Sequence, residues 1–127
     1  MPSMLPLASD FTPLEQAVLS AICEEHPNDR AAMEAQLATA TLKTRENTGA
    51  GFFTYFDVQR ADINPIGGLR LRDGPNAKIK GLQHGMGFIL WFKEGYADCL
   101  EGYAYAGSTT EVHWQSVSFE LDPVLKR

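Results

Sequence analysis

Most of the side chains that could do acid–base or binding chemistry lie in two stretches of the sequence, and Glu101 is the most informative of them. It belongs to the segment HGMGFILWFKEGYADCLEGYAYAG (residues 84–107), at a position where the alternation of residues predicts an apolar side chain. A buried and unpaired carboxylate would cost several kcal/mol. Glu101 therefore needs a partner such as Arg45, Arg70 or Arg72, a proton that keeps it neutral, or a place at the rim of a pocket. We favour a structural role, either as a paired carboxylate or at a sheet edge open to water.

His84 is the candidate base that shares the predicted sheet face of Glu101. A histidine acts as a general base only if it reaches a substrate proton, and it usually has an orienting partner. No Ser, Cys or Asp stands in a recognisable nucleophile motif. We therefore expect His84, like His26 and His113, to be structural or at the surface, and we predict no catalytic residue.

The segment TRENTGAGFFTYF (residues 44–56) places Arg45, Glu46 and Thr48 before two glycines. Such a polar link between two strands can offer backbone N–H groups to an anion. A phosphate cradle would need a fuller glycine fingerprint, and neither GxGxxG nor GxxxxGK[ST] occurs in the chain. We favour a hairpin turn or bulge here, with a ligand loop as the alternative.

Tyrosine and tryptophan are frequent in the second half of the chain, and they suit either a core boundary or a partner-binding face. We expect most of them to fill the core and Trp91 to lie on the more open face. The candidate binding residues of the sequence are Arg45, Glu46, Thr48, His84, Trp91, Glu101, Tyr103 and Tyr105.

Two helices are predicted ahead of the residues that could do chemistry. Thr12, Pro13 and Glu15 form a helix start with a capping box, and the apolar stripe that follows ends at His26-Pro27. Asn28 or Asp29 can cap a second helix through AAMEAQLATAT. The short connection between the two predicts a helical hairpin.

From about residue 42 the pattern changes to β-branched and aromatic residues with period-two alternation. The predicted strands span residues 42–46, 51–58, 68–72, 78–82, 86–93, 96–104 and 112–121. Strands that follow helices without helical crossovers indicate an antiparallel sheet. The predicted fold class is α+β, with an N-terminal helical hairpin packed on a mostly antiparallel β-sheet of about five to seven strands.

The hairpin within residues 84–107 determines which way Glu101 points. Lys93-Glu94-Gly95-Tyr96 is typical of a two-residue loop with Gly95 at positive φ. The resulting register pairs Phe92 with Ala97, Leu90 with Cys99, Phe88 with Glu101, Met86 with Tyr103 and His84 with Tyr105, all on the more apolar face. A three-residue bulged loop would slip this register by one residue and turn Glu101 to the face of Trp91.

Composition indicates one ordinary globular domain, residues 1–127, with residues 1–11 as a loosely ordered N-terminal arm. The 127 residues are 44% hydrophobic and 21% charged, which is typical of a soluble protein with its own core. Cys23 and Cys99 are far apart in the sequence and match neither a disulfide framework nor the spacing of zinc ligands. We therefore predict reduced, buried thiols and neither metal nor cofactor.

The charge and the N-terminus restrict partners and location. With a net charge of −5 and basic residues interrupted by Asp62 and Asp73, the chain lacks the basic footprint of a nucleic-acid-binding protein. The segment MPSMLPLASD resembles neither a signal peptide nor a membrane anchor. We therefore expect a cytoplasmic protein of bacterial type with no nucleic-acid or membrane partner.

Two blocks, TRENTGAGFFTYF and IKGLQHGMGFILWFKEGYADCLEGYAYAG (residues 79–107), resemble a family of small, uncharacterised bacterial proteins. Its pattern is T-R-E-x-T-G-x-G-F-F-T, followed by G-L-x-H-G-x-G-F-x-L-F-x-K-x-G-Y-x-x-x-L-E-G-Y-x-Y. The resemblance covers about a third of the chain and implies no activity. It marks Arg45, Glu46, Thr48, Gly49, Gly51, His84, Gly85, Gly87, Gly95, Tyr96, Glu101, Gly102 and Tyr103. GSTTEVHWQ (residues 107–115) departs from the Trp-Pro step of that family.

These observations favour a non-enzymatic protein that binds a protein partner, as an antagonist resembling toxin-immunity proteins does. The alternative is a small-ligand domain or minor hydrolase with a pocket around Arg45, Glu46, His84 and Glu101. A third hypothesis is an oligomerisation module that closes an apolar sheet face by self-association. The sequence leaves the oligomeric state open.

Overall fold

The protein, in a computed structural model that describes residues 10–122, begins with two helices, α1 (Pro13–Glu25) and α2 (Arg30–Leu37). The predicted capping box is present, because the Thr12 hydroxyl accepts from the Glu15 N–H (3.1 Å) and the Glu15 carboxylate accepts from the Thr12 N–H (2.8 Å). At the start of α2, Asp29 makes no capping hydrogen bond with its side chain. Its carboxylate instead accepts two N–H groups of Arg72.

Seven strands form one antiparallel sheet in the described residues: β1 (Thr41–Asn47), β2 (Gly51–Asp57), β3 (Leu71–Asp73), β4 (Ala77–Ile79), β5 (Leu82–Lys93), β6 (Tyr96–Ala104) and β7 (Phe119–Leu121). Their order is β1-β2-β6-β5-β4-β7, and β3 pairs with β5 beside β4. The α+β class with helices first is therefore confirmed. The predicted strand 112–121 is reduced to β7, because residues 109–116 form turns closed by the N–H groups of Val112 and Ser116. The predicted strands 68–72 and 78–82 correspond to the short β3 and β4.

One face of the sheet packs against both helices and forms the core. Phe52, Phe88 and Leu90 of the sheet and Leu14 and Ile22 of α1 are almost completely buried there. The opposite face, which we call the outer face, carries Glu46, Phe53, Tyr55, Asp73, Ile89, Trp91, Cys99, Glu101 and Tyr103. All of these side chains except that of Cys99 are half-buried or exposed, in contrast to those of the core face.

The predicted N-terminal arm is only partly covered by the structure, since residues 1–9 lie outside the described residues. Phe11 belongs to the core: it is 4% exposed and meets the Phe56 ring edge-on at 5.4 Å. This contact places the last residue of the predicted arm in the core, just before the capping box of α1, where burying an aromatic ring is stabilising.

The hairpin turn between β5 and β6 has the predicted length. Lys93 pairs with Tyr96 and Phe92 with Ala97. Glu94 and Gly95 have φ angles of 55° and 85°, as in a type I′ turn, which matches the twist of the flanking strands.

Beyond that turn the predicted register is wrong, because Asp98 is an extra residue that forms a β-bulge. Trp91 pairs with Cys99, and every later residue of β6 is shifted by one position. The Ala97 N–H next to the bulge donates to the buried Gln36 side chain (2.9 Å). Glu101 consequently lies on the outer face opposite Ile89, and not on the core side beside Phe88.

Candidate functional site

A row of side chains crosses the outer face perpendicular to the strands. Cross-strand pairing places Glu46 opposite Phe53, Phe53 opposite Glu101, Glu101 opposite Ile89, and Ile89 opposite Asp73. Directly paired residues project to the same face of a sheet. We call these five residues the acidic row, because its carboxylates alternate with a phenyl ring and an aliphatic side chain.

A second, more apolar row runs beside the acidic row. In it Tyr55 pairs with Cys99 and Cys99 with Trp91. The Tyr55 ring is 36% exposed and stacks on Phe53, with 5.9 Å between ring centroids. The Trp91 indole N–H donates to Glu101 Oε1 (2.9 Å). The predicted partner of Glu101 is thus corrected: it is an indole on the outer face rather than an arginine.

Two tyrosines extend the aromatic surface toward one end of β5 and β6. Tyr103 pairs with Gly87, and a Cβ added at Gly87 would meet the Tyr103 and Tyr105 hydroxyls at 2.6 Å. A side chain at that position would have to displace the hydroxyl ends of both tyrosines, which lie against the backbone of β5. The Tyr105 ring is 51% exposed, meets Tyr103 edge-on, and its hydroxyl donates to Asn76 Oδ1.

The electrostatic environment of the outer face is negative around these rings. Burial raises the pKa of the Cys99 thiol to about 12, and the Asp98 and Glu101 carboxylates add to the rise. Burial also raises the pKa of Tyr103, with contributions from Tyr105 and then from Asp73 and Glu101. Each of these carboxylates disfavours a further negative charge beside it.

The end of the outer face at the hairpin turn has a different charge. A cavity of about 190 Å³ there is lined by Lys43, Tyr55, Asp57, Arg60, Lys93 and Asp98, among others. Burial raises the pKa of Asp98, while Lys93 and Lys43 oppose the rise. Cations and carboxylates are therefore mixed at this end, whereas the charged side chains of the acidic row are all carboxylates.

Arg45, a predicted candidate, lies on the helix side of the sheet in a hydrogen-bonded cluster. Its guanidinium donates to both oxygens of Glu15, at 2.8 Å each, and the Thr54 hydroxyl donates to the same carboxylate. Glu15 is 1% exposed and also accepts the Thr12 N–H. The four acceptor positions are satisfied, so this cluster anchors α1 to β1 and β2.

Thr48 and its glycines form the turn between β1 and β2, as predicted. The Ala50 N–H donates to the Thr48 hydroxyl (3.2 Å). A Cβ added at Gly51 would lie 2.0 Å from a backbone oxygen of β6, so glycine permits the close approach of two strands. Thr109, which the sequence did not identify, donates to Asn47 (2.9 Å) and accepts the Gly51 N–H (3.0 Å).

His84 lies at the far end of β5 and lines a cavity of about 480 Å³. The polar side chains of that cavity are Asn76, Lys78, Gln83, His84, Tyr105 and Asp122. Neither Arg45, Glu46 nor Glu101 lines it. The four residues of the predicted ligand pocket are therefore not brought together: Arg45 binds α1, Glu46 and Glu101 share the acidic row, and His84 stands apart.

Most of the remaining candidates do share a surface. Trp91, Glu101, Tyr103 and Glu46 lie on the outer face, and Tyr105 borders it. Sequence reasoning missed Phe53 and Asp73. In β2 the buried residues Phe52, Thr54 and Phe56 alternate with Phe53, Tyr55 and Asp57, and this period-two pattern could have identified Phe53. The short β3 gave no periodic signal for Asp73.

Among residues 10–122, no group of three or more His, Cys, Asp or Glu side chains is arranged to hold a metal ion. Neither α1 nor α2 has the length and apolar character that crossing a membrane requires. Comparison of the chain with protein-family models, with curated proteins and with solved structures found no match.

Proposed function

We propose that this chain is a non-enzymatic binding protein that holds a protein partner on its outer face, as an antagonist such as a toxin-immunity protein does. The observation that supports the proposal most strongly is the aromatic surface around Trp91. It combines Phe53 and Tyr55 on one side with Tyr103 and Tyr105 on the other. Aromatic residues of this kind are enriched at the centres of protein interfaces.

Two further features favour binding over catalysis. The polar candidates Arg45 and Glu101 are each engaged in a hydrogen bond within the chain, which fixes their geometry and commits both side chains to structural contacts. The outer face is also built on rigid strands rather than on loops, so it presents a preformed surface. A preformed aromatic surface loses little side-chain entropy when a partner binds.

Affinity capture from the native cell, compared between three forms of the protein, tests the proposal. The outer-face variant combines Tyr55→Ser and Tyr105→Ser. The control is Leu69→Ser, which also removes an exposed apolar side chain (75% exposed) but lies beside His26 near the end of α1. We expect one protein to be retained by the wild type and by Leu69→Ser and to be lost from the outer-face variant.

Equal retention of every captured protein by all three forms would exclude the outer face as the binding surface. Light scattering distinguishes self-association from binding to another protein. A wild-type dimer that the outer-face variant converts to a monomer would replace the proposed partner by a second copy of the chain.

A further inference from the structure

We infer that the outer face binds an extended, cationic segment of its protein partner, with a basic residue at about every third position along the acidic row. This inference rests on the proposed function, since it states the chemistry of the partner. It follows from three properties of the row: carboxylates without a cationic partner, their spacing, and the aromatic rings beside them.

The three carboxylates of the acidic row have acceptor capacity left. Among the described residues, Glu46, Asp73 and Glu101 take part in no ion pair, although six other pairs form. Glu101 uses Oε1 to accept from Trp91. Asp73 contacts His26, the residue that follows α1, through its backbone oxygen, which lies 3.0 Å from His26 Nε2. The Asp73 carboxylate takes no part in this contact.

The spacing of these carboxylates follows from the strand order. Glu46 and Glu101 lie two strands apart, and so do Glu101 and Asp73. Neighbouring strands are about 4.8 Å apart, so the carboxylates repeat at roughly 10 Å across the sheet. In a polyproline II segment three residues advance roughly 9 Å and complete one turn, so every third side chain points the same way. Basic residues at that period would meet one carboxylate each.

The rings beside the row add a second interaction for the same cations. Phe53 lies between Glu46 and Glu101, and Tyr55 and Trp91 flank the row on the neighbouring positions. A guanidinium is attracted to the face of an aromatic ring. The chain already contains such a contact, with Arg60 at 4.7 Å from the centre of the Tyr96 ring. Aromatic surfaces also suit the preformed polyproline II conformation.

The negative charge of the outer face disfavours binding of an anionic segment. After burial, the raised pKa of Cys99 reflects the Asp98 and Glu101 carboxylates. The raised pKa of Tyr103 reflects burial, then Tyr105, and then the Asp73 and Glu101 carboxylates. A phosphorylated or carboxylate-rich segment would meet the same repulsion. For a cationic segment the electrostatic interaction with these carboxylates is attractive. The attraction also increases the rate of association with the partner.

A direct test uses synthetic peptides and the full-length protein. The probe consists of three Arg-Pro-Pro repeats. One control replaces arginine by glutamate, and another places the three arginines consecutively before the prolines. Each exposed ion pair changes affinity roughly two- to fivefold, so we expect the probe to bind about tenfold more tightly than the rearranged peptide. No binding is expected for the glutamate peptide. Raising the salt concentration should weaken the complex.

Two variants locate the binding on the acidic row. Glu46→Lys reverses a charge within the row, while Glu24→Lys makes the same change on the exposed side of α1. We expect Glu46→Lys to weaken binding of the probe at least fivefold and Glu24→Lys to change it less than twofold. In NMR titrations the indole N–H of Trp91 should shift, because its acceptor Glu101 gains a cation.

The outcomes separate this inference from the proposed function. If the captured partner is lost from the outer-face variant but its affinity is unchanged in Glu46→Lys and at high salt, the outer face binds proteins and the cationic segment is refuted. Equal affinity for the probe and the rearranged peptide refutes the inference that basic residues at every third position match the carboxylates of the acidic row. A partner retained by the outer-face variant refutes the proposed function, whatever the peptides do.

Discussion

Replacing Arg45 by methionine should destabilise the protein strongly, because Arg45 neutralises a carboxylate that has almost no access to water. Glu15 is 1% exposed and both of its oxygens accept from the guanidinium at 2.8 Å. Removing one member of a buried ion pair costs about 3–5 kcal/mol, a large part of the roughly 5–15 kcal/mol that holds a domain folded. For a chain of this size, the melting temperature should fall by ~10–20 °C.

Urea unfolding followed by circular dichroism measures this free energy. The matched control is Glu46→Ala, one residue along the same strand but on the outer face, where we expect a change of less than about 0.5 kcal/mol. The double variant Arg45→Met, Glu15→Gln should lose less unfolding free energy than the two single variants lose in total, by at least about 1 kcal/mol. If Arg45→Met costs no more than Glu46→Ala, the cluster does not anchor α1 and the assigned face of β1 is wrong.

Three further predictions concern the register, a close contact and pH. Glu101→Ala should shift the Trp91 indole N–H resonance and lower stability by less than about 1.5 kcal/mol, since one hydrogen bond on the outer face is lost; an unchanged resonance would contradict the bulge. Gly51→Ala, which would bring a Cβ to 2.0 Å from a backbone oxygen, should cost over ~2 kcal/mol in urea unfolding, whereas Gly67→Ala, with nothing within 4 Å, should be neutral. Burial raises the pKa of Cys99 from 9.0 to about 12, so the thiol loses its proton at lower pH in the unfolded state than in the folded state. The unfolding free energy should therefore fall by roughly 1 kcal/mol per pH unit as pH rises between those values. An equal slope in Cys99→Ala would show that the Cys99 thiol is not its cause.

Elements that depend on neighbouring residues were predicted well from the sequence. The capping box needs only Thr12 and Glu15, which lie three residues apart, and the turn at Glu94-Gly95 needs only two residues that accept positive φ. The alternation in β5 likewise showed which of its side chains enter the core, because successive residues of a strand point to opposite faces. These features are local, so the sequence contains their causes in adjacent positions.

The candidate site depended on contacts between distant residues, and it was predicted less well. Arg45 was expected near Glu101 or in a ligand loop, yet its partner Glu15 lies 30 residues earlier, on a helix. That pairing follows from which face of β1 meets α1, which the polar sequence of this strand does not show. The aromatic residues were identified as candidates, but their assembly into one surface required the order of β2, β6 and β5.

By itself, the sequence determined the two helices, the antiparallel sheet and the aromatic content of its second half. Only the tertiary structure decided which face carries Glu101. The extra residue at Asp98 inverts every later side chain of β6, and it lies next to Ala97, whose N–H is held by Gln36 from 61 residues away. Because side chains alternate with a period of two, one extra residue beside such a distant contact is enough to move a carboxylate from the core to the outer face.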